Sequence, residues 1–391
     1  MLSLYVHLPW CVKKCPYCDF NSHVYHSPDL NKPALPEADY IQALKLDLTE
    51  SLALYPDLSH REIQSVFFGG GTPSLFSGQA IGEILTHLSK HFHFSPHCEI
   101  TLEANPGTVE RKHFRAYRKA GVNRLSLGIQ SFNAEHLKKL GRIHDSLEAK
   151  QAISIAREAG FDNLNLDIMY GLINQSLSEA LEDLSVACGH QPEHLSWYNL
   201  SLEPNTLFYK QRPPLPEDNV MHLIENQGDA LLKTHGYTRY EISAYARPNH
   251  QAKHNLNYWQ FGDYLGLGAG AHSKITTPTH KKIHRLIKHK HPKTYLDCLD
   301  CAHAQISFVQ ENKIVCDQDK PMEFMMNALR LVEGVDLSLF EQCTGLPLSR
   351  IEKILLKAKH LDLLDSSEKI KPTKKGLLFL NDLVNLFSED I

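Results

Sequence analysis

The chain has 391 residues, of which 42% are hydrophobic and 22% are charged, and its formal net charge is −4. That length accommodates a large domain with an ordinary buried core and a smaller second domain. Because charges of both signs are spread along the chain, a generic nucleic-acid or membrane-surface partner is not expected.

From residue 1 to residue 245, short apolar runs typical of strands alternate with longer stretches of helical periodicity. The predicted strands are Leu2–Leu8, Ile63–Phe68, Glu99–Glu103, Arg124–Ile129, Asn163–Met169 and His194–Leu202. The predicted helices include Tyr40–Tyr55, Ala80–Phe92, Leu147–Ala159 and Leu177–Gly189. This alternation predicts an α/β fold of parallel βα units, and six units fit a partial (β/α)6 barrel better than a closed eight-stranded one. We expect the chemistry at the carboxyl ends of the strands.

Residues 246–318 are predicted to form an extension beside a ligand pocket, together with a linker. A glycine-rich turn at 266–271 lets the backbone approach a neighbouring group closely, and we place it beside the pocket with His272 nearby. The stretch from His280 to Lys293 is rich in histidine, lysine and arginine. Such a run is usually a solvated face, and contact with anionic groups of a ligand or with an acceptor protein is the alternative.

Residues 319–391 have the pattern of a small winged-helix domain, with helices, a short hairpin at Leu363–Pro372 and a last helix. Winged helices often bind DNA, but a DNA-binding surface needs an excess of basic residues. From Asp319 to Ile391 there are 10 Lys and Arg against 12 Asp and Glu. We therefore predict a protein contact or a lid, and no nucleic-acid partner.

Three cysteines near the beginning of the chain, Cys11, Cys15 and Cys18, have the spacing C-x3-C-x2-C. Three thiolates suit three corners of an iron–sulfur cube and leave one iron open to a small molecule. A zinc site completed by His7 and His23 is an alternative, although zinc sites usually contain paired C-x2-C groups. A disulfide with a spare thiol would instead fit a secreted chain.

The cysteine motif, the segment Gly69-Gly70-Gly71-Thr72 and the polar residues at predicted strand ends together resemble the radical S-adenosylmethionine (SAM) proteins. Over nearly its whole length the chain resembles the oxygen-independent coproporphyrinogen III dehydrogenase family, and most of all its heme chaperone branch. The run from Tyr5 to His23 carries this resemblance most strongly. The resemblance implies a [4Fe–4S] cluster on the three cysteines, SAM at the open iron, and heme that is passed to an unidentified acceptor protein.

The same resemblance implies which residues contact the cluster and SAM. Those beside the cluster and the methionine end of SAM are Tyr5, Tyr17, Gly70, Gly71 and Thr72. Those on further SAM-contacting positions are Glu103, Gln130, Arg142 and Asp167. Two carboxylates, an amide and a guanidinium suit a ligand with an ammonium, a carboxylate and ribose hydroxyls. For each residue alone, strand-end capping or surface pairing is the alternative.

Two features bear on the branch of the family. The decarboxylating members carry a further cysteine two residues after the third, where this chain has Phe20, so coproporphyrinogen decarboxylation is the alternative function. His254, Tyr258 and Trp259 match the H-N-x-x-Y-W pattern that the chaperone branch associates with heme binding. A neutral imidazole is a good axial ligand for heme iron, and two aromatic rings offer flat apolar area. A packed, hydrogen-bonded histidine is the alternative for His254.

The cysteine content and the hydropathy pattern indicate the compartment. Nine cysteines are an odd number without the spacing of a disulfide framework, which favours a reducing environment. No run of 18 apolar residues occurs, so no helix is expected to span a bilayer. We therefore predict a cytoplasmic protein.

Overall fold

The computed structural model describes residues 2–25, 35–108, 111–279, 281–299 and 306–388. His280, the first residue of the basic stretch, lies outside the described residues. In chain order the strands of the described part are β1 (Leu2–Leu8), β2 (Trp10–Cys11), β3 (His23–Val24), β4 (Glu62–Gly70), β5 (His93–Ala104), β6 (Arg124–Gln130), β7 (Leu164–Tyr170), β8 (His194–Asn199), β9 (Thr238–Glu241), β10 (Ala244–Ala246), β11 (Tyr264–Leu267), β12 (His272–Thr276), β13 (Ile283–Lys288), β14 (Val309–Ile314), β15 (Val335–Asp336) and β16 (Lys369–Ile370).

The helices of the same part, again in chain order, are α1 (Glu37–Leu54), α2 (Gly78–His91), α3 (Arg111–Ala120), α4 (Ala134–Lys139), α5 (Ser146–Glu158), α6 (Leu177–Gly189), α7 (Leu207–Gln211), α8 (Asp218–Thr234), α9 (Lys253–Trp259), α10 (Pro292–Asp297), α11 (Lys320–Ala328), α12 (Leu337–Thr344), α13 (Glu352–His360), α14 (Lys374–Leu378) and α15 (Leu380–Asn385).

Six parallel strands form the middle of a mixed sheet. β1, β4, β5, β6, β7 and β8 lie side by side in that order, and each is parallel to the next. Helices occupy the connections between them, from α1 before β4 to α6 before β8. The order of the sheet runs from β14 at one end to β9 at the other, so the barrel is open. The predicted α/β fold is confirmed, and the carboxyl ends of its parallel strands lie along one edge.

Local sequence explains where two of the connecting helices begin. α5 starts with a capping box in which Asp145 and Glu148 each bond to the backbone N–H of the other. α6 starts with the same arrangement between Ser176 and Glu179. These side chains satisfy N–H groups that the first turn of a helix leaves without partners.

Several elements differ from the sequence prediction, and β5 and α3 show why. β5 begins at His93 rather than at Glu99, because His93 and Phe94 already pair with the beginning of β4. α3 has no counterpart among the predicted helices, since most of its residues are polar or charged. Phe114 and Tyr117 are fully buried and attach this helix to the core.

Residues 246–318 continue the same sheet beyond β1. β11 is parallel to β1, and β12, β13 and β14 follow as antiparallel strands. The ammonium of Lys288, at the end of β13, is fully buried, where it pairs with Asp47 and donates to Ser51 Oγ over 3.0 Å. The predicted boundary at residue 245 therefore does not coincide with a gap in the sheet. The division into 1–245, 246–318 and 319–391 stays a prediction.

The last part of the chain packs around a second hydrophobic cluster, to which residues between 240 and 283 also contribute. Phe324 of α11 and Phe340 of α12 lie against each other, and Phe261 contacts Phe324 from the segment before β11. An antiparallel bridge between Leu364 and Pro372 falls on the predicted hairpin. Among the described residues, no helix combines the length and the apolar character that crossing a membrane requires.

Candidate functional site

The three cysteines lie on a loop that leaves the sheet at the carboxyl end of β1. Cys11 ends β2, which pairs with β3 on the far side of the loop, and Cys15 and Cys18 lie between the two short strands. All three are free thiols that border one cavity, with Cys11 buried and the other two half-buried. Three thiols on one cavity wall are the donor set of a [4Fe–4S] cluster with three protein ligands.

Polar groups surround the sulfur atoms. Thr72 Oγ1 donates to Cys11 Sγ over 3.5 Å, and a guanidinium N–H of Arg142 donates to Cys15 Sγ over 3.6 Å. Burial raises the pKa of Cys11 and that of Cys18. A buried thiolate therefore needs a positive centre close to it, and bound iron supplies one.

The zinc alternative finds no support in the arrangement of ligands. His7 Nε2 donates to the carbonyl of Asn21 over 2.8 Å, and Nδ1 accepts from the Tyr5 hydroxyl over 3.0 Å. Within the described ranges, no three His, Cys, Asp or Glu side chains are grouped as ligands of one metal ion. The thiolates of an iron–sulfur cluster bind different irons and need not converge on one point.

The cavity opens at the carboxyl ends of the parallel strands. Gly70 ends β4, Glu103 lies one residue before the end of β5, and Gln130 ends β6. The cavity has a volume of about 140 Å³ and is open to solvent at its mouth. Of the residues predicted to contact the cluster or SAM, all except Tyr5 border it: Tyr17, Gly70, Gly71, Thr72, Glu103, Gln130, Arg142 and Asp167.

The glycine segment packs against the cysteine loop. The Gly71 N–H donates to the Leu8 carbonyl over 2.8 Å, and a Cβ at Gly71 would lie 2.5 Å from the carbonyl oxygen of Trp10. Gly70 has a φ of +116°, and a Cβ there would lie 2.6 Å from the ring of His7. Glycine lets the backbone approach a ligand closely, and contact with the cysteine loop is a second reason for glycine at these two positions.

We expect Gly71→Ala to lower the free energy of unfolding by about 2 kcal/mol, because the backbone of the cysteine loop must move to admit the added methyl group. Thermal unfolding of the purified variant measures this change. Gly189→Ala is the matched control at the end of α6, where an added Cβ has no described neighbour within 4 Å, and it should change stability by less than about 0.5 kcal/mol. Equal stability of the two variants would contradict the contact.

Two carboxyl groups share the cavity. Burial, and to a smaller extent the negative charge of Asp167, raise the pKa of Glu103 to about 8. A hydrogen bond from the Gly70 N–H acts in the opposite direction and lowers this pKa. Burial also raises the pKa of Asp167, although its carboxylate accepts from Asn165 over 2.8 Å and from Ser126 over 3.1 Å. The cavity therefore disfavours two negative charges unless a cation binds beside them.

Arg142 and Gln130 have unusual arrangements. Arg142 donates to the Gly128 carbonyl over 2.7 Å and to the Asn105 side chain, while its Nε is buried without a partner among the described residues. Gln130 has a φ of +68°, and its Oε1 accepts from the Tyr198 hydroxyl over 2.7 Å. Left-handed backbone at a non-glycine residue costs about 1–3 kcal/mol and is typical of ligand sites. A bound carboxylate would satisfy the unpaired guanidinium N–H.

The two predicted tyrosines lie in different places. Tyr17 borders the cavity and packs against Phe208, with ring centroids 6.3 Å apart. Tyr5, in β1, borders a neighbouring cavity instead and bonds to His7. Its position beside the cluster stays a prediction.

His254, the predicted heme ligand, is 2% exposed near the start of α9. Its Nδ1 is 2.8 Å from Ser65 Oγ, and its Nε2 is 3.1 Å from the Tyr258 hydroxyl. Burial lowers the pKa of His254 to about 3, so the ring is neutral at pH 7. Because both nitrogens are hydrogen-bonded, iron could bind only after one of these bonds breaks. The axial role of His254 stays a prediction.

The two aromatic residues of this motif point to different neighbours. Tyr258 borders the neighbouring cavity. Trp259 instead lies beneath the guanidinium of Arg330, which is 4.2 Å from the ring centroid. Only Tyr258 of the pair therefore faces open space in which a flat ligand would fit.

Several residues that border the SAM-predicted cavity are absent from the predicted set, among them Ser126 of β6 and Tyr198 of β8. Tyr198 lies one residue before the end of its strand, as Glu103 does in β5. The position of Tyr198 near the end of a parallel strand is therefore a sequence signal that predicts it at the site. Ser126 lies near the start of β6, and no sequence signal distinguishes it.

Comparison with known families covers most of the chain. Residues 5–187 match the model of the radical SAM superfamily, and residues 317–379 match that of the HemN C-terminal domain. A protein of Haemophilus influenzae named heme chaperone HemW is 47% identical over 99% of this chain and 97% of its own length. The protein of the same name from Escherichia coli is 46% identical over 99% of this chain and 98% of its own length.

The fold has a counterpart among solved structures. The structure described as coproporphyrinogen III oxidase (HemN) from Escherichia coli, a radical SAM enzyme, matches with a TM-score of 0.79 and 26% identity. The match covers 99% of this chain and 90% of that one. The chain therefore belongs to the radical SAM superfamily and, within it, to the family of the proteins named heme chaperone HemW.

Proposed function

We propose that the chain is a cytoplasmic heme chaperone. It would hold a [4Fe–4S] cluster on Cys11, Cys15 and Cys18, bind SAM at the open iron, and pass heme to an acceptor protein. The observation that carries the proposal is the similarity, over 99% of the chain, to two proteins named heme chaperone HemW. Free thiols, in the described part of the chain, fit a reducing compartment.

The side chains of the cavity fit a cluster and SAM. When bound, a [4Fe–4S] cluster with three thiolate ligands supplies an electron of low potential at an iron that remains open. Glu103 would accept hydrogen bonds from the ammonium or the ribose of SAM, and its carboxylate would then lie beside a cation. Arg142 would donate to the carboxylate through the N–H that has no partner among the described residues. Tyr198 would hold Gln130 in place through the hydrogen bond that its hydroxyl donates.

A second candidate function is oxidative decarboxylation of coproporphyrinogen III, favoured by the structural match to the coproporphyrinogen III oxidase of Escherichia coli. The residue that argues against it is Phe20. It occupies the position of the further cysteine that the resemblance implies for decarboxylating members, and its side chain is 66% exposed at the edge of the cavity. A phenyl ring offers neither a thiolate nor a proton to a substrate.

One preparation of the full chain, reconstituted anaerobically, tests both functions. Titration with hemin, followed by the Soret band, should saturate, while incubation with reductant, SAM and coproporphyrinogen III should give no protoporphyrinogen. Robust formation of protoporphyrinogen would overturn the chaperone proposal in favour of the enzyme. Absence of hemin binding together with absence of turnover would exclude both functions.

A further inference from the structure

A second cavity lies next to the one at the cysteine loop. It has a volume of about 290 Å³ and is open to solvent at its mouth. Phe20, Gly70 and Glu103 border both cavities, so the two are neighbours across these residues. Tyr258 and Tyr264 form an aromatic wall, with ring centroids 4.5 Å apart and planes nearly perpendicular. The exposed ring of Phe20 and this wall offer the flat apolar area that a macrocycle covers.

Two imidazoles border this second cavity, those of His7 and His272. Both ring nitrogens of His7 are occupied, by Asn21 and by Tyr5. His272, at the start of β12, is exposed, and its ring forms no hydrogen bond to the described residues. His254 does not border the cavity, because Tyr258 lies between them and bonds to it. Of these three rings, His272 alone has a nitrogen open to a metal without any bond being broken.

The charge around His272 suits the same ligand. Burial, then Lys290 and Arg285, lower the pKa of His272, so the imidazole is neutral and able to bind a metal at neutral pH. Lys290 is exposed, whereas Arg285 donates to the Tyr264 hydroxyl over 3.2 Å and is paired with Glu323 over 2.7 Å. The ammonium of Lys290 complements a flat ligand that carries carboxylates at one edge.

The turn before His272 is fixed to the cysteine loop. Asn21 Nδ2 donates to the carbonyl of Ala269 over 3.0 Å and to that of Lys290 over 2.8 Å. Gly270 has a φ of +77°, and a Cβ there would lie 2.2 Å from Asn21 Nδ2. His272 therefore has a defined position relative to the loop that carries the three cysteines, which is what a ligand bound between the two segments requires.

We propose that His272 is the axial protein ligand of heme iron, with the macrocycle in the second cavity between Phe20 and Tyr258. Its propionates would lie toward Lys290. This inference rests on the proposed function, since it takes heme as the cargo. It assigns His254 a different part: by bonding to the Tyr258 hydroxyl, His254 positions the aromatic wall and leaves the iron to His272. Binding is a ligand exchange in which the imidazole replaces water on the iron, with no change of oxidation state.

Hemin titration of the full chain and its variants tests the assignment. His272→Ala should weaken hemin binding at least tenfold and remove the absorption and electron paramagnetic resonance signature of histidine-bound ferric heme. Added free imidazole should restore that signature. His254→Ala should retain the signature, and His93→Ala, at the far end of β5, is the control for removal of an exposed histidine.

The outcomes separate this inference from the proposed function. If the wild type does not bind hemin, the proposed function fails. If the wild type binds hemin and folded His272→Ala gives an unchanged spectrum, the proposed function stands and the inference is wrong. Loss of the signature in a folded His254→Ala, with His272→Ala unaffected, would return the axial role to His254. Should His272→Ala not fold, His272→Met provides the same test, because a thioether ligand gives a different spectrum from an imidazole.

Discussion

Cys11→Ala, Cys15→Ala and Cys18→Ala are each expected to leave the chain without a [4Fe–4S] cluster after anaerobic reconstitution. The motif offers three thiolates to four irons, so none of the three is dispensable. The wild type should contain about four irons and about four sulfides per chain, and each variant close to none. Iron and acid-labile sulfide analysis, together with the visible absorption band, measure this loss.

The control for the cysteine variants is Cys188→Ala. Cys188 is buried in α6 and does not border the cavity of the three cysteines, so it is a packing residue. This variant should keep the cluster. A chain without Cys11, Cys15 and Cys18 that still assembles one would place the cluster elsewhere.

Glu103→Gln is expected to weaken SAM binding and to stabilise the chain that has no ligand. Loss of a charged hydrogen-bond acceptor costs about 1.5–3 kcal/mol, which is a fall in affinity of about 10- to 100-fold. Equilibrium dialysis of the reconstituted protein against SAM measures it. Gln has almost the same shape as Glu, so packing is unchanged.

The stability effect of Glu103→Gln depends on pH. The pKa of Glu103 is raised from 4.5 to about 8 in the folded chain, so the folded state retains a proton that the unfolded state releases between these values. The contribution of Glu103 to wild-type stability is therefore complete below about pH 4.5 and is lost as the pH rises toward 8. The Gln side chain does not ionise, so its contribution to stability does not change over this pH range.

The gain in stability of the Gln variant should accordingly be near zero at pH 5 and reach about 2 kcal/mol at pH 8.5, after allowance for solvent screening of a half-buried group. Chemical denaturation at the two pH values measures the difference. A gain of equal size at both pH values would mean that Glu103 does not titrate in this range.

The parallel strands and the cysteine motif were predictable because their signals are local. Each predicted strand is a short apolar run, and each of the six was found within a few residues of its observed position. β5 was found short, because its first residues, from His93, are polar and are held by pairing with β4 rather than by burial. The helix α3 was not predicted for a similar reason, because its few buried residues are separated by charged residues and give no clear apolar pattern.

The details of the site depend on contacts between segments that are distant in sequence. Gly71 is required by the carbonyl of Trp10, and the bonds that occupy His254 come from Ser65 of a different strand and from Tyr258. A pattern such as H-N-x-x-Y-W carries no information about Ser65, so it could not indicate that the ring is enclosed. The sequence placed His272 only beside the glycine turn, because the lack of a hydrogen-bond partner for its ring depends on the fold.

The most direct test of the central claim is the electron paramagnetic resonance spectrum of the reduced, reconstituted cluster, recorded with and without SAM. If three thiolates leave one iron open, SAM should change the g values of the cluster, and Glu103→Gln should require a higher SAM concentration for the same change. Identical spectra at saturating SAM, from a preparation with a full complement of iron, would contradict an open iron and the account built on it.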